Sequence, residues 1–168
     1  MEAEGPLQVG TSRRAKGKHR PVTVDRERLL EVLHLTDMAS MHELVLRLYQ
    51  GNWDDSLKVA VGLVDNAGAV DAVRELVTSR GWRERVAAAK VISAFHLVEF
   101  VAPLIQTFVA EPETYTAKAF AYMLVSVKTH ERDQLLAVLR SACPGTDYGH
   151  HLLDTIDKAL NEAKADDR

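Results

Sequence analysis

The stretch Gly81 to Val109, GWRERVAAAKVISAFHLVEFVAPLIQTFV, decides the fold. Its apolar residues recur at i, i+3 and i+4 and never alternate, so it reads as two helices joined by a tight corner near His96. Trp82, Val86, Ala89 and Ile92 share one face, which places Trp82 in a buried seam. Arg83 and Glu84 point elsewhere. Arg85 lays its stem along the seam, with its head reaching solvent or a helix carbonyl. Glu84 suits the first turn, where the helix dipole favours an acid.

Working outward, the same signals repeat. Helices are expected near 53–65, 68–80, 82–95, 99–110, 115–128, 131–142 and 148–164, separated by connections of a few residues. Ahead of them, Thr23 to Asp25 caps a helix carrying Leu29, Leu30 and Leu33. A further helix spans Met38 to Tyr49 and is stopped by Gly51-Asn52. Pro103 is tolerated if its helix begins near Glu99 or Phe100. Aromatic residues open alternate helices at Trp53, Trp82, Tyr115 and Tyr148, at spacings of 29, 33 and 33 residues. Four residues after each opener stand Leu57, Val86, Ala119 and Leu152. A helix pair repeated at this period predicts an all-α, short α-solenoid in which each hairpin buries its face against its neighbours.

The segment ELVTSRGWRERVAAAKVISAFHLVEFVAPLIQTFVAEPETYTAKAFAYML resembles HEAT-like helical repeats, and more narrowly a bacterial family of uncharacterised HEAT-like domains. The resemblance rests on Trp82–Arg85, Ala87–Ala89, Glu99–Pro103 and Glu113–Tyr115, the last one residue shorter than the pattern. It covers about a third of the chain, and its motifs are packing motifs. It implies the fold first. Because some small bacterial HEAT-like proteins resemble immunity proteins, it also implies neutralisation of a cognate toxin by binding.

Composition agrees with a soluble helical domain. The 168 residues are 46% hydrophobic and 27% charged, with mean hydropathy −0.14. No apolar run reaches the ~18 residues of a membrane span, and no apolar h-region follows the basic N-terminus. The single Cys143 excludes an internal disulfide and fits a reducing, cytoplasmic compartment. Residues 1–28 carry seven basic and four acidic side chains, and the remainder fourteen and twenty. A basic arm therefore precedes an acidic body. The expected organisation is a disordered arm over 1–23, one helical domain over 24–164 and a frayed tail over 165–168.

Chemistry is sparse. None of the seven histidines has H-E-x-x-H spacing, and His150 and His151 diverge by about 100° on a helix, so no metal or other cofactor is expected. Thr129 to Asp133, THERD, reads as a helix start with Thr129 as cap and Glu131 in the first turn. Cys143 lies near a helix end before Pro144-Gly145, without the positive dipole that activates a thiol. With no G-x-S-x-G, P-loop or dinucleotide fingerprint, the chain does not read as an enzyme.

The expected function is protein binding by a helical-repeat surface, in the form of an immunity-type protein whose acidic body suits a basic toxin domain. Asp54, Asp55, Arg83, Glu84 and Tyr122 are the candidate partner-binding residues. The alternative is a nucleic-acid adaptor using Arg13, Arg14, Lys16, Lys18 and Arg20, which lacks interleaved aromatics for stacking bases. An enzyme would instead require a concave pocket holding two convergent ionisable residues.

Overall fold

The computed structural model describes residues 45–49, 52–63, 66–78 and 81–166. All regular structure among them is helical. After a helical segment at 45–49 come α1 (Trp53–Leu63), α2 (Asn66–Val77) and α3 (Trp82–Phe95). A 3-10 turn (Val98–Phe100) leads into α4 (Val101–Ala110), followed by α5 (Thr114–Ser126), α6 (Arg132–Ser141) and α7 (Asp147–Asp166). Among the described residues no helix is long and apolar enough to cross a membrane. The expected helix carrying Leu29, Leu30 and Leu33, the start of the next one and the basic arm lie outside the described residues.

The helix starts follow from local chemistry. Asn52, expected with Gly51 to stop one helix, stands directly before the next: its Oδ1 accepts from Asp55 N at 2.9 Å while its Nδ2 donates to Asp55 Oδ2 at 2.6 Å. The first of these bonds satisfies one of the backbone donors that α1 itself leaves open. Glu113 caps α5, its carboxylate accepting from Thr116 N at 3.0 Å. Thr129 accepts from Glu131 N at 3.2 Å, so the THERD turn precedes α6 as a hydroxyl-bonded turn, and the helix proper begins at Arg132. Pro103 falls in the first turn of α4, where its missing N–H costs nothing. Asn66 opens α2 in place of the break expected over Asn66–Gly68. The last helix continues to Asp166, past the boundary at 164.

Two sets of neighbours emerge. α1 packs on α3, α3 on α5 and α5 on α7, while α4 packs on α6 and touches α2. All four aromatic openers fall on the first set: Trp53 and Trp82 are the first residues of their helices, and Tyr115 and Tyr148 the second. The outer helices bury one stripe each. Val101, Leu104, Ile105 and Phe108 do so on α4, and Leu152, Ile156, Ala159, Leu160 and Ala163 on α7. Phe108 meets Phe120 edge to face at 6.1 Å, joining α4 to α5.

α3 departs from the amphipathic expectation. It touches α1, α2, α4 and α5, and every residue from Arg85 to Ser93 is buried. Ala87, Ala88 and Ala89 have no exposed surface, and their small side chains let four helices approach one. Trp82 sits at the rim of this seam, half-buried. The Arg85 head does not reach solvent. It is buried at the C-terminus of α4, where its Nη1 donates to the carbonyls of Thr107 at 3.2 Å and Glu111 at 3.3 Å. Nη2 lies 3.6 Å from the Glu111 carboxylate. A cation at the negative end of a helix dipole thus fastens α3 to α4.

The corner after α3 is turned by His96, whose φ of 51° is left-handed. The N–H groups of His96 and Leu97 both return to the Ile92 carbonyl, and Leu97 is buried beneath the turn. A side chain with a Cβ is disfavoured there. Replacing His96 by Gly is expected to stabilise the fold by about 0.5–1 kcal/mol, the left-handed cost less the entropy of Gly, read as a raised denaturation midpoint. Arg85→Ala strands the α4 carbonyls and is expected to cost about 2–4 kcal/mol. Arg85→Lys restores little of that, because one ammonium does not span the two carbonyls and the carboxylate. A urea midpoint unchanged in Arg85→Ala would refute that role.

Candidate functional site

The first turn of α1 and the first three turns of α3 and of α5 face one another across a groove of about 360 Å³. Trp53 and Tyr122 stack on one wall, with ring centroids 5.2 Å apart and planes 23° from parallel. Trp82 and Tyr115 stack on the other at 4.6 Å and 19°, with the Tyr49 ring set edge-on to Trp82 at 5.2 Å. Val86 and Ala119 also line the groove, as do Lys90 and Lys118. Both tryptophans of the chain are therefore in this one place.

Each ring system already holds a cation of the protein. The Arg83 guanidinium lies 4.6 Å from the Trp82 ring centroid and 5.4 Å from that of Tyr49. Lys90 Nζ lies 5.8 Å from the Trp53 centroid, and Lys118 Nζ 5.8 Å from that of Tyr122. Such contacts attract through the ring quadrupole, by roughly 0.5–2 kcal/mol depending on desolvation. The Trp53–Tyr122 pair is also pinned by hydrogen bonds. Trp53 Nε1 donates to Ser126 Oγ at 3.3 Å, and the Tyr122 hydroxyl donates to Glu162 Oε2 on α7 at 2.7 Å. The Tyr122 bond lowers the Glu162 carboxyl below its usual range, with help from Lys118 at 3.5 Å.

Lys90 is the least ordinary group. It is only 3% exposed, and its Nζ donates to Ser56 Oγ on α1 at 2.9 Å. Burial lowers its pKa from 10.5 to about 8, because the charged form has lost water. Cys143 moves the other way: burial raises its thiol, which disfavours the thiolate a nucleophile needs. Among the described residues no group of three or more His, Cys, Asp or Glu is placed to hold a metal ion.

The five candidate residues separate. Arg83 is exposed on the ring cluster, and Tyr122 forms part of the groove wall. Asp54 is exposed and lines a shallower groove of about 180 Å³ beside Trp53, Tyr122 and Lys128. Asp55 is committed to the α1 cap and to Lys58 at 3.6 Å. Glu84 curls back over Gly81, its Oε2 1.9 Å from where a Cβ on that glycine would stand, so it belongs to the start of α3. Arg13, Arg14, Lys16, Lys18 and Arg20 lie outside the described residues.

Sequence reasoning missed Lys90 and Lys118. A signal for Lys90 was present: it interrupts the apolar run Val86–Phe95 and stands four and eight residues after Val86 and Trp82. Lys118 follows Tyr115 by three residues, a helical neighbour of the ring. The pocket required of an enzyme exists and holds two ionisable lysines, with no carboxylate or imidazole among its described lining residues. Two ammonium groups suit negative charge, and a lysine brought to about 8 also falls in the range of a general base.

No family model, curated protein or solved structure matches this chain.

The buried lysine makes a pH prediction. Its folded pKa lies below its unfolded one, so its burial opposes folding fully below about pH 8, and that opposition fades toward pH 10.5. Wild-type stability relative to Lys90→Met is therefore expected to rise by roughly 2–3 kcal/mol between pH 7 and pH 10. Denaturant unfolding of both proteins at the two pH values measures it. Parallel profiles would mean that Lys90 is solvated in the folded protein.

Proposed function

We propose that this chain is a non-enzymatic protein-binding module built as a short HEAT-like α-solenoid, and that it acts in the cytoplasm, without a cofactor, as a toxin-neutralising immunity-type protein. The alternation of neighbours supports the solenoid: α1, α3, α5 and α7 succeed one another on one side, with α4 and α6 paired elsewhere. The motif resemblance around Trp82–Arg85 and Glu99–Pro103 points the same way.

One observation carries the binding reading. Tyr115, 62% exposed, stacks on Trp82, and the exposed Arg83 covers the same indole. Tyr, Trp and Arg are the residue types that supply most of the energy of protein interfaces, and here stacking fixes them before any partner arrives. Their loss of freedom on binding is correspondingly small. The excess of acidic residues beyond position 28 favours a basic partner through long-range attraction. The nucleic-acid alternative rests on Arg13 to Arg20 and draws no support from the described residues.

A toxin-like protein encoded beside this gene is the expected partner. Co-expression should yield a stoichiometric complex on size exclusion. The double variant Arg83→Ala/Tyr115→Ala should weaken it by about tenfold or more while leaving the melting temperature within a few degrees. Absence of a complex, or a double variant that binds as tightly as the wild type, would sink this reading.

A further inference from the structure

Three features compete as an unassigned site. The cleft of Lys118, His151, Asp154, Lys158 and Glu162 between α5 and α7 has both signs of charge, and its ions largely answer one another: Glu162 lies 3.5 Å from Lys118 and 3.9 Å from Lys158. The open apolar hollow around Val61, Gly62, Ala94 and His96 has nothing beside it to say what would cover it. The aromatic groove differs from both. It combines ring walls with two ammonium groups and has no acid among its described lining residues.

We propose that this groove is a binding site for a small organic anion: a flat, apolar or aromatic body bearing a carboxylate or a phosphate, with the anionic end toward Lys90 and Lys118 and the body between the two stacked pairs. The site does not depend on the protein-partner reading. That reading is carried by Arg83 and Tyr115, whereas the anion is held by Lys90 and Lys118, with Trp82 and Tyr115 lining the groove as well.

Charge comes first in the argument. Aromatic clusters commonly receive cations on their ring faces, but here Arg83, Lys90 and Lys118 already occupy such positions at 4.6 to 5.8 Å. A cationic ligand would meet two ammonium groups and no carboxylate among the described lining residues; Glu162 on α7, 3.5 Å from Lys118, is not in that lining and offsets part of its charge. An anion meets the opposite field, strengthened where water is excluded around Lys90. The second point is shape. A groove of about 360 Å³ lies at the lower end of the range for small-molecule sites, with apolar walls and few polar groups. Third is preorganisation. Lys90 is held by Ser56, Lys118 by Glu162, Trp53 by Ser126 and Tyr122 by Glu162, so the lining needs little ordering when a ligand enters.

The chain itself supplies the reporter. Its two tryptophans, Trp53 and Trp82, both line the groove, so all indole emission comes from there. Phenylacetate and phenyl phosphate serve as anionic probes, against the neutral phenylacetamide and the cationic phenethylamine, with the full chain titrated at low salt and pH 7. Both anions should change the indole emission saturably. The neutral amide and the amine should bind about tenfold or more weakly, the cost of losing or reversing the charge. A response to phenylacetate but not phenyl phosphate assigns the carboxylate as the ligand group, and the reverse assigns the phosphate.

Lys118→Gln alters an exposed side chain and should weaken the anion about fivefold or more without unfolding the protein. Lys90→Met, checked for native helicity by circular dichroism, should weaken it further. The proposal is overturned by the absence of a saturable response to either anion, by equal binding of phenylacetamide, or by unchanged anion affinity in Lys118→Gln and folded Lys90→Met.

Discussion

The burial of α3 on every side is the constraint on which the rest of the structure depends. A helix enclosed by four neighbours has no solvent face, so each polar group it carries must be answered from within the protein. Two cations lie inside that enclosure, and they are answered differently. Arg85, near the start, gives its fork of N–H groups to the carbonyls that end α4 and thereby fixes the angle at which the hairpin closes. Lys90, five residues on, gives its ammonium to Ser56 on α1 and lies over the Trp53 ring.

Arginine and lysine are not exchangeable between these positions. The guanidinium keeps its proton and spreads its charge over a plane, which suits a permanent bridge between a helix terminus and a carboxylate. An ammonium is compact and strongly hydrated, so the same burial disturbs it more and brings its pKa to about 8. The two residues therefore divide structural fastening from site chemistry along one helix. The alanines between them, Ala87 to Ala89, allow this division by keeping the surrounding helices close enough to reach both heads.

Much of the architecture was legible in the sequence because it depends on local rules. The aromatic openers mark α1, α3, α5 and α7 within a residue, since a large ring at the first turn of a packed helix is a local pattern with a fixed period. Element ends shifted by one to three residues, as where α2 begins at Asn66, two residues before its expected start, while Asn52 caps α1 at the expected position. The site was less legible. Asp55 and Glu84 are charged residues in first turns, a pattern shared by helix starts and binding residues, and only the structure shows Asp55 bonded to the Asn52 cap and Glu84 folded back over Gly81. Lys90 was hidden for the opposite reason. Read alone, α3 has an apolar face and a lysine that belongs on its solvent side. Only the four neighbours remove that side, and no local pattern records how many neighbours a helix will have.

Enclosure also determines where binding chemistry can arise in this fold. Buried positions of α3 mostly meet other helices, while Trp82, Val86 and Lys90 along its N-terminal part line the groove between α1 and α5, where the layer opens. Rings placed there are anchored on one side by the core and wetted on the other, the condition under which stacking fixes orientation without sacrificing contact surface. The groove and the outward ridge are then two consequences of one placement. Trp82 presents Tyr115 and Arg83 outward, and the gap between its stacked pair and that of Trp53 and Tyr122 is floored by the helix that cannot move without disturbing all four of its neighbours. A ligand seated in that gap binds the packed state and not the unfolded chain, so its affinity adds directly to the stability of the α1–α3–α5 packing.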